Sequence, residues 1–107
     1  PHALATLARQ PHPPAMPKLN ATQIKSALKT VPDWRKQAAT IVRTFAFKDF
    51  PAAIKFVNRA AVLAERAWHH PDIDIRWNQV TLTLTTHDEG GLTTKDFALA
   101  RKFDRLV

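Results

Sequence analysis

The sequence contains no cysteine, and only two of its 107 residues are glycine. Without cysteine there is no disulfide framework, no thiolate metal site and no cysteine nucleophile. No apolar run approaches the roughly 20 residues that a membrane-spanning helix needs, so we expect no membrane association. The length, together with a hydrophobic content of 45%, predicts one globular domain with a modest core.

Acidic residues are absent from the first 32 positions, although the whole chain has 16 basic and 9 acidic side chains and a net charge of +7. Four of the basic residues fall in this acid-free segment: Arg9, Lys18, Lys25 and Lys29. The remainder therefore carries 12 basic and 9 acidic side chains, a net charge of +3. Because a folded region with that charge is unremarkable, we expect no direct binding of nucleic acid.

Five of the eight prolines lie in residues 1–18, a segment without a sustained hydrophobic period. We interpret residues 1–18 as an N-terminal tail and residues 19–107 as the domain. Met16 is the only methionine, so residues 1–15 are either an artificial leader before a natural start or part of a transit peptide. We favour the leader, which predicts a cytoplasmic protein, whereas a transit peptide would predict a mitochondrial one.

Three segments have the capping residues and apolar spacing of helices, and they begin at Asn20, Asp49 and Thr93. Pro32 and Pro71 are the predicted stop signals of the first two. The second helix is the longest. Its predicted apolar stripe is Phe50, Ile54, Val57, Ala61, Ala64 and Trp68.

The segments between the helices are typical of strands. Residues 34–47 are rich in β-branched and aromatic side chains and predict one or two strands, the better one over residues 40–47. Residues 72–77 and 80–87 alternate apolar and polar side chains, with a turn expected at Asn78 and Gln79. This order predicts an α+β fold with helices on one face of an antiparallel sheet.

The stretch AERAWHHPDIDIRW, residues 64–77, places His69 and His70 directly before Pro71. Cationic side chains are stabilised at the C-terminal end of a helix, which explains the pair without any function. His87 favours a functional interpretation, because with it three of the five histidines fall within 19 residues. Glu65, four residues before His69, either forms an ordinary helical pair with it or orients it for chemistry.

Three further interpretations remain open on the residues alone. Glu65, His69 and His87 could form a metal site with two histidines and one carboxylate, but no HExxH motif is present and we expect no metal. Asp96 is a predicted capping-box residue whatever else it does. Trp77 could stack on a flat ligand. It also continues the alternation of Ile73 and Ile75, which is more typical of a core residue.

The spacing Glu65-x3-His69-His70-Pro71-x5-Trp77-x9-His87-x8-Asp96 resembles the signature of the pterin-4a-carbinolamine dehydratases. The segments FKDF (47–50), VTLTLTTH (80–87) and GLTTKD (91–96) are also similar to that family. The resemblance covers residues 20–107. It implies an α+β fold in which a four-stranded antiparallel sheet has three helices packed on one face.

The resemblance implies dehydration of 4a-hydroxytetrahydropterin to quinonoid dihydropterin, in tetrahydrobiopterin recycling, without a metal or organic cofactor. Expulsion of the hydroxyl group needs one proton delivered and another removed, which imidazoles can do near neutral pH. By resemblance, His69 and His87 are the acid–base pair and His70 orients the pterin. The implied supporting residues are Glu65 and Asp96 as carboxylates, Trp77 as a pocket residue and Pro71 as the residue that ends the helix.

The resemblance also implies assembly into a homodimer or a homotetramer. Some animal members act as dimerisation cofactors of a homeodomain transcription factor. The alternative to an enzyme is therefore a non-catalytic interaction module of the same fold.

Overall fold

A computed structural model describes residues 16–107, which form three α-helices and one antiparallel sheet. The helices are α1 (Ala21–Leu28), α2 (Phe50–Ala67) and α3 (Thr94–Asp104). The strands are β1 (Arg35–Gln37), β2 (Thr40–Ala46), β3 (Asp72–Arg76) and β4 (Gln79–Leu84), and they pair in the order β1-β2-β4-β3. The predicted α+β class with four strands and three helices is confirmed. The leader and transit-peptide alternatives concern residues 1–15, which lie outside the described residues.

The first two helices begin at the caps that the sequence predicts. The side chain of Asn20 accepts a hydrogen bond from the amide of Gln23 at 2.8 Å, and the Gln23 side chain accepts one from the amide of Asn20 at 2.9 Å. Asp49 accepts a hydrogen bond from the amide of Ala52 at 2.9 Å. Each cap satisfies an amide that the helix itself leaves open and stabilises it by about 1 kcal/mol. Neither these helices nor any other in residues 16–107 combines the length and apolar character needed to cross a bilayer.

The core lies between one face of the sheet and the helices. On β2 and β4 the register pairs Ile41 with Leu84 and Phe45 with Val80, so these four buried side chains share one face. The helices pack apolar residues against that face: Ala53, Phe56, Ala60, Phe97, Ala100 and Phe103. The opposite face of β4 carries partly exposed threonines, as the alternation predicts.

The predicted apolar stripe of α2 is only partly correct: Ala64 is buried and Val57 packs against the core, but the buried face is rotated from this stripe about the helix axis. The buried residues are Ala53, Phe56, Ala60 and Ala64, whereas Phe50 is 47% exposed. Apolar residues occur on more than one side of this helix, so helical spacing alone fits two stripes. The buried stripe contains three alanines, whose small side chains let the helix backbone lie close to the rest of the core.

β3 is an edge strand, and all five of its residues are exposed. The alternation predicts that Ile73 and Ile75 lie on the buried face of a half-buried strand, but each is 39% exposed, and β3 has a neighbouring strand on one side only. The turn to β4 falls at Trp77 and Asn78, one residue earlier than predicted. Trp77 is 68% exposed, so its assignment to the core is wrong.

A buried indole and a guanidinium meet one carboxylate where α3 ends. The indole nitrogen of Trp34 donates to Asp104 Oδ1 at 2.8 Å, and Arg43 donates to the same oxygen at 2.6 Å. The Arg43 guanidinium also lies 4.1 Å from the centre of the Phe45 ring. A carboxylate at a helix C-terminus is unfavourable for the helix dipole, so these two donors account for its presence there.

Replacing Asp104 by alanine should lower the free energy of unfolding by about 2 to 3 kcal/mol, because the buried Trp34 indole and Arg43 lose their acceptor. Urea unfolding measures this difference. Asp74→Ala is the matched control, because Asp74 pairs with Arg76 at 3.2 Å on an exposed edge strand and should cost less than about 1 kcal/mol. Equal losses in the two variants would contradict the role given to Asp104.

Candidate active site

Three segments of the chain meet around one cavity: the residues after α2, the residues after β4 and the first turn of α3. Met16, before α1, also contributes to its lining. Antiparallel pairing brings the first two together, because β3 follows α2 and pairs Asp72 with Thr83 near the end of β4. The cavity has a volume of about 440 Å³, within the range of small-molecule sites. His69, His70 and His87 all line it.

The turn at Trp68 directs the two consecutive histidines to different sides. α2 ends at Ala67, and Trp68 adopts the left-handed conformation with φ 54° and ψ 37°. The amide of His69 then donates back to the carbonyl of Ala64 at 3.2 Å, which closes the helix end. His69 is buried and His70 is exposed, as expected for neighbours that cannot share one direction.

His69 makes a direct contact with the buried carboxylate of Asp96. Its Nε2 lies 2.5 Å from Asp96 Oδ1, and the two side chains are 10% and 0% exposed. Asp96 Oδ2 accepts a hydrogen bond from the amide of Thr93 at 2.9 Å, which is the predicted capping box of α3. Asp96 therefore has two roles, as a helix cap and as the partner of His69.

Two threonine hydroxyls extend this network. Thr86 donates to Asp96 Oδ2 at 2.9 Å, and its oxygen lies 2.9 Å from that of Thr93. Because the single hydroxyl hydrogen of Thr86 goes to the carboxylate, Thr93 donates to Thr86. Asp96 thus receives three hydrogen bonds, from His69, Thr86 and the Thr93 amide, which compensate for its complete burial.

The carboxylate also determines which nitrogen of His69 carries a hydrogen. An ionised carboxylate only accepts hydrogen bonds, so the contact with Asp96 places the hydrogen on Nε2. In the neutral ring, Nδ1 is then the nitrogen with a free lone pair. A histidine held in one tautomer by a buried carboxylate is suited to exchanging protons with a molecule in the cavity.

Glu65 pairs with His70 and not with His69. The Glu65 Oε1 and His70 Nε2 atoms are 2.6 Å apart, and both side chains are more than half exposed. The pairing of Glu65 with His69 that the helical spacing predicts is therefore wrong. The reason is the left-handed turn at Trp68, which takes His69 off the helix face and returns His70 toward Glu65.

His87 follows β4 at the start of a short 3-10 turn, His87–Glu89. β4 ends at Leu84, so the position of His87 is set by this turn and not by strand alternation alone. Its side chain is exposed and lines the cavity beside the other two histidines. Asp88, Glu89 and Lys95 contribute charged groups of both signs to the same wall.

Four of the predicted site residues do not line the cavity: Glu65 and Asp96, which contact histidines that do, and Trp77 and Pro71. Trp77 lies in the β3–β4 turn, and His70 and His87 lie at the other end of the same hairpin. The five residues of β3 separate the two ends by roughly 17 Å. Pro71 lies between His70 and β3. Pro71 does not itself end α2, because the helix already ends at Ala67 and the chain turns at Trp68.

Sequence reasoning missed Thr86 and Trp68 as residues of this site. Thr86 could have been found, because it continues the alternate positions of the buried residues Leu82 and Leu84. A polar side chain at a buried position needs a hydrogen-bond partner. Helical spacing predicts Trp68 as part of the apolar stripe of α2. No sequence pattern indicated that it lies beyond the helix end.

A metal site from Glu65, His69 and His87 would require these side chains to converge. Instead, Glu65 and His69 turn to different partners. Within residues 16–107, no group of three or more histidine, aspartate or glutamate side chains has an arrangement that could hold a metal ion.

Comparison with known proteins gives a consistent result. The family model described as Pterin 4 alpha carbinolamine dehydratase matches residues 17–106. A relative from Chloroflexus aurantiacus is 56% identical over 92 residues, which are 86% of this chain and 99% of the relative. A relative from Thermomicrobium roseum is 53% identical over 92 residues, with the same coverage of both chains. Both are assigned, provisionally, as pterin-4-alpha-carbinolamine dehydratases.

Two solved structures are also similar. A transcriptional coactivator/pterin dehydratase from Brucella melitensis matches with a TM-score of 0.80 and 37% identity, covering 83% of this chain and 97% of that one. A pterin dehydratase-like protein, described as a RuBisCO assembly factor in the alpha-carboxysome, matches with a TM-score of 0.60 and 27% identity, covering 69% and 88%. On the family match and these identities, the chain belongs to the pterin-4-alpha-carbinolamine dehydratase family.

Proposed function

We propose that this protein dehydrates 4a-hydroxytetrahydropterin to quinonoid dihydropterin by histidine acid–base catalysis, in tetrahydrobiopterin recycling. The observation that carries the proposal is the buried pair of His69 and Asp96 at the wall of a cavity that His70 and His87 also line. Membership of the dehydratase family supports the reaction type. As the resemblance implies, the proposed reaction needs no metal or organic cofactor.

Dehydration of the carbinolamine requires two proton movements. The C4a–O bond breaks as a proton reaches the departing oxygen, and a proton leaves a ring nitrogen as the C=N bond forms, so that water is the only product lost. In this proposal His69 and His87 are the acid–base pair. Nδ1 of His69 is the atom that exchanges the proton, because Nε2 is engaged by Asp96.

The remaining residues bind or position. His70 is held by Glu65 at the mouth of the cavity and orients the pterin. Asp96 keeps His69 in one tautomer and stabilises the imidazolium when the ring carries both protons. Trp77 has no role in this proposal within a single chain, since it lies at the far end of the hairpin.

A non-catalytic interaction module is the second candidate. Two similar structures favour it, because one is named as a transcriptional coactivator as well as a pterin dehydratase and the other as an assembly factor. A module that had lost the reaction would not need its histidines to line one cavity. In this chain all three do, so the enzymatic proposal has the stronger support.

Replacing His69 or His87 by alanine should lower kcat for the dehydration about 100- to 10,000-fold, which is the usual contribution of a positioned acid or base. The measurement is stopped-flow absorbance with carbinolamine generated by an aromatic amino acid hydroxylase. His70→Ala is the comparison and should mainly raise KM. Wild-type rates in both alanine variants would show that neither His69 nor His87 is the acid or the base. A wild-type protein that neither turns over the carbinolamine nor binds a dihydropterin would favour the interaction module.

Replacing Thr86 by valine should lower kcat about 10- to 100-fold, because Asp96 loses one of its three donors and His69 is less well held. Thr86→Ser keeps the hydroxyl and should restore most of the rate. Thr83→Val, at a partly exposed position of β4 shortly before Thr86, is the matched control. The ¹⁵N chemical shifts of His69 should change in Thr86→Val alone. An equal rate and an unchanged His69 spectrum would show that Thr86 only packs.

We also propose that the chain assembles as a homodimer or a homotetramer. Support comes from the large apolar side chains that the single chain leaves exposed, including Val62 on α2 and Ile75 on the edge strand β3.

Ile75→Lys and Val62→Lys place a charge on each of these two surfaces, and at least one of them should lower the mass measured by light scattering. Asn58→Lys, at an exposed position of α2, is the control for added charge. A monomeric wild-type protein at micromolar concentration would contradict the proposal.

A further inference from the structure

Residues 16–19 lie against the loop between β4 and α3, and we call this segment the N-terminal strap. The amide of Leu19 donates to the carbonyl of Leu92 at 2.8 Å, and the Leu19 side chain packs against the core. These contacts attach the strap at its C-terminal end. At its other end, Met16 lines the cavity of the three histidines. The strap therefore brings a residue of the predicted tail segment to the candidate active site.

Gly91 leaves room for the strap to lie against this loop. A Cβ atom on Gly91 would lie 2.9 Å from Cδ and 3.3 Å from Cγ of Lys18, which is closer than carbon atoms pack without repulsion. Unlike Gly90, Gly91 does not have the positive φ that favours glycine, so its backbone conformation does not explain the residue type. The close approach of the strap does explain it.

Gly91 also connects the strap to the hydrogen bonds around Asp96. The amide of Thr86 donates to the carbonyl of Gly91 at 3.1 Å, and the amide of Gly91 donates to the carbonyl of Thr86 at 3.3 Å. Thr86 in turn donates to Asp96, the partner of His69. The strap thus rests on the same backbone bridge that holds Thr86, so Met16 and the buried histidine belong to one connected structure.

Met16 supplies a type of surface that most of the cavity wall lacks. The described lining residues are mainly imidazoles, threonines and charged side chains, and among them Met16 and Trp68 have the large apolar side chains. Met16 is partly buried and lies outside the hydrophobic core of the described residues. A methionine side chain is flexible and polarisable, and its sulfur makes favourable contacts with aromatic rings. Such a side chain is suited to contact a flat ring that enters the cavity.

We propose that Met16 is a substrate-binding residue whose thioether packs on the bicyclic ring of the carbinolamine, and that the strap holds it there. This inference rests on the proposed function and extends it, because the histidine signature does not include the N-terminal segment. The contact is the same before and during the loss of water, so its contribution falls on KM and not on kcat. The histidines exchange the protons.

Met16 is the only methionine in the sequence, so its methyl group gives a single reporter of binding. The full chain, labelled with ¹³C at the methionine methyl group, is titrated with the unreactive 7,8-dihydrobiopterin. The Met16 methyl signal should shift as the ring binds and should show nuclear Overhauser contacts to protons of the pterin. A signal that neither shifts nor shows these contacts when the pterin is bound at saturation would overturn the proposal.

Kinetics of variants test the same contact. Met16→Ala should raise KM for the carbinolamine on the order of fivefold, as expected for the loss of one sulfur–ring contact, with kcat within about twofold. Met16→Leu keeps much of the apolar surface and should recover part of the affinity. Val107→Ala, at an exposed position, is the control for loss of an apolar side chain and should leave KM unchanged.

Stability separates binding from packing. Because Met16 lies outside the core of the described residues, Met16→Ala should have the Tm of the wild type. A lower Tm together with an unchanged KM would assign Met16 a packing role and overturn the proposal. If Met16→Ala does not fold, Met16→Leu and the methyl spectra of the wild type decide.

Gly91→Ala tests whether the strap holds Met16 in place. The added Cβ atom pushes the Lys18 side chain and the strap away from the loop, so KM should rise as it does in Met16→Ala. In the double variant KM should rise no further than in Met16→Ala alone, because both changes remove the same contact. Additive effects, or a wild-type KM in Gly91→Ala, would overturn the role given to the strap.

The proposed reaction and the role of Met16 can fail separately. Turnover by the wild type with an unchanged KM in Met16→Ala overturns the role of Met16 and leaves the reaction in place. Binding of 7,8-dihydrobiopterin with contacts to the Met16 methyl group, but without turnover, supports Met16 and rejects the reaction. Absence of both turnover and binding overturns both.

Discussion

The contact between His69 and Asp96 joins the end of α2 to the first turn of α3, and the geometry of the cavity depends on it. Asp96 is completely buried, so its charge is tolerable only because three donors converge on it. Those donors are His69 after α2, Thr86 after β4 and the amide of Thr93 before α3. The carboxylate thus fixes, at one point, the helix cap, the tautomer of His69 and the position of Thr86.

The backbone around this contact explains why two adjacent histidines have different environments. A helix that continued through His69 would place it on the same face as Glu65. The left-handed turn at Trp68 ends α2 earlier and sends His69 inward to Asp96, while His70 pairs with Glu65 near solvent. One buried and one exposed imidazole beside the same cavity can serve different functions, the first in proton exchange and the second in binding.

The sequence predicts the elements of this fold better than the way they pack. Caps are local hydrogen bonds between residues a few positions apart, which is why Asn20, Asp49 and Thr93 were identified correctly. The buried face of α2 was not, because apolar residues lie around much of that helix and its neighbours decide which are covered. Trp77 shows the same limit, since alternation cannot reveal that β3 is an edge strand. Within the site, the three histidines and Asp96 were predicted, but the pairing of Glu65 required the turn at Trp68.

The central claim is that Asp96 holds His69 in the tautomer that proton transfer needs, and Asp96→Asn tests it most directly. Asparagine has the same shape and can still accept from Thr86 and Thr93, but its amide group would face His69 as a donor and move the ring hydrogen to Nδ1. Stopped-flow dehydration of enzymatically generated carbinolamine should then be at least about 100-fold slower, with the fold intact by circular dichroism. A folded Asp96→Asn protein with the wild-type rate would contradict the account.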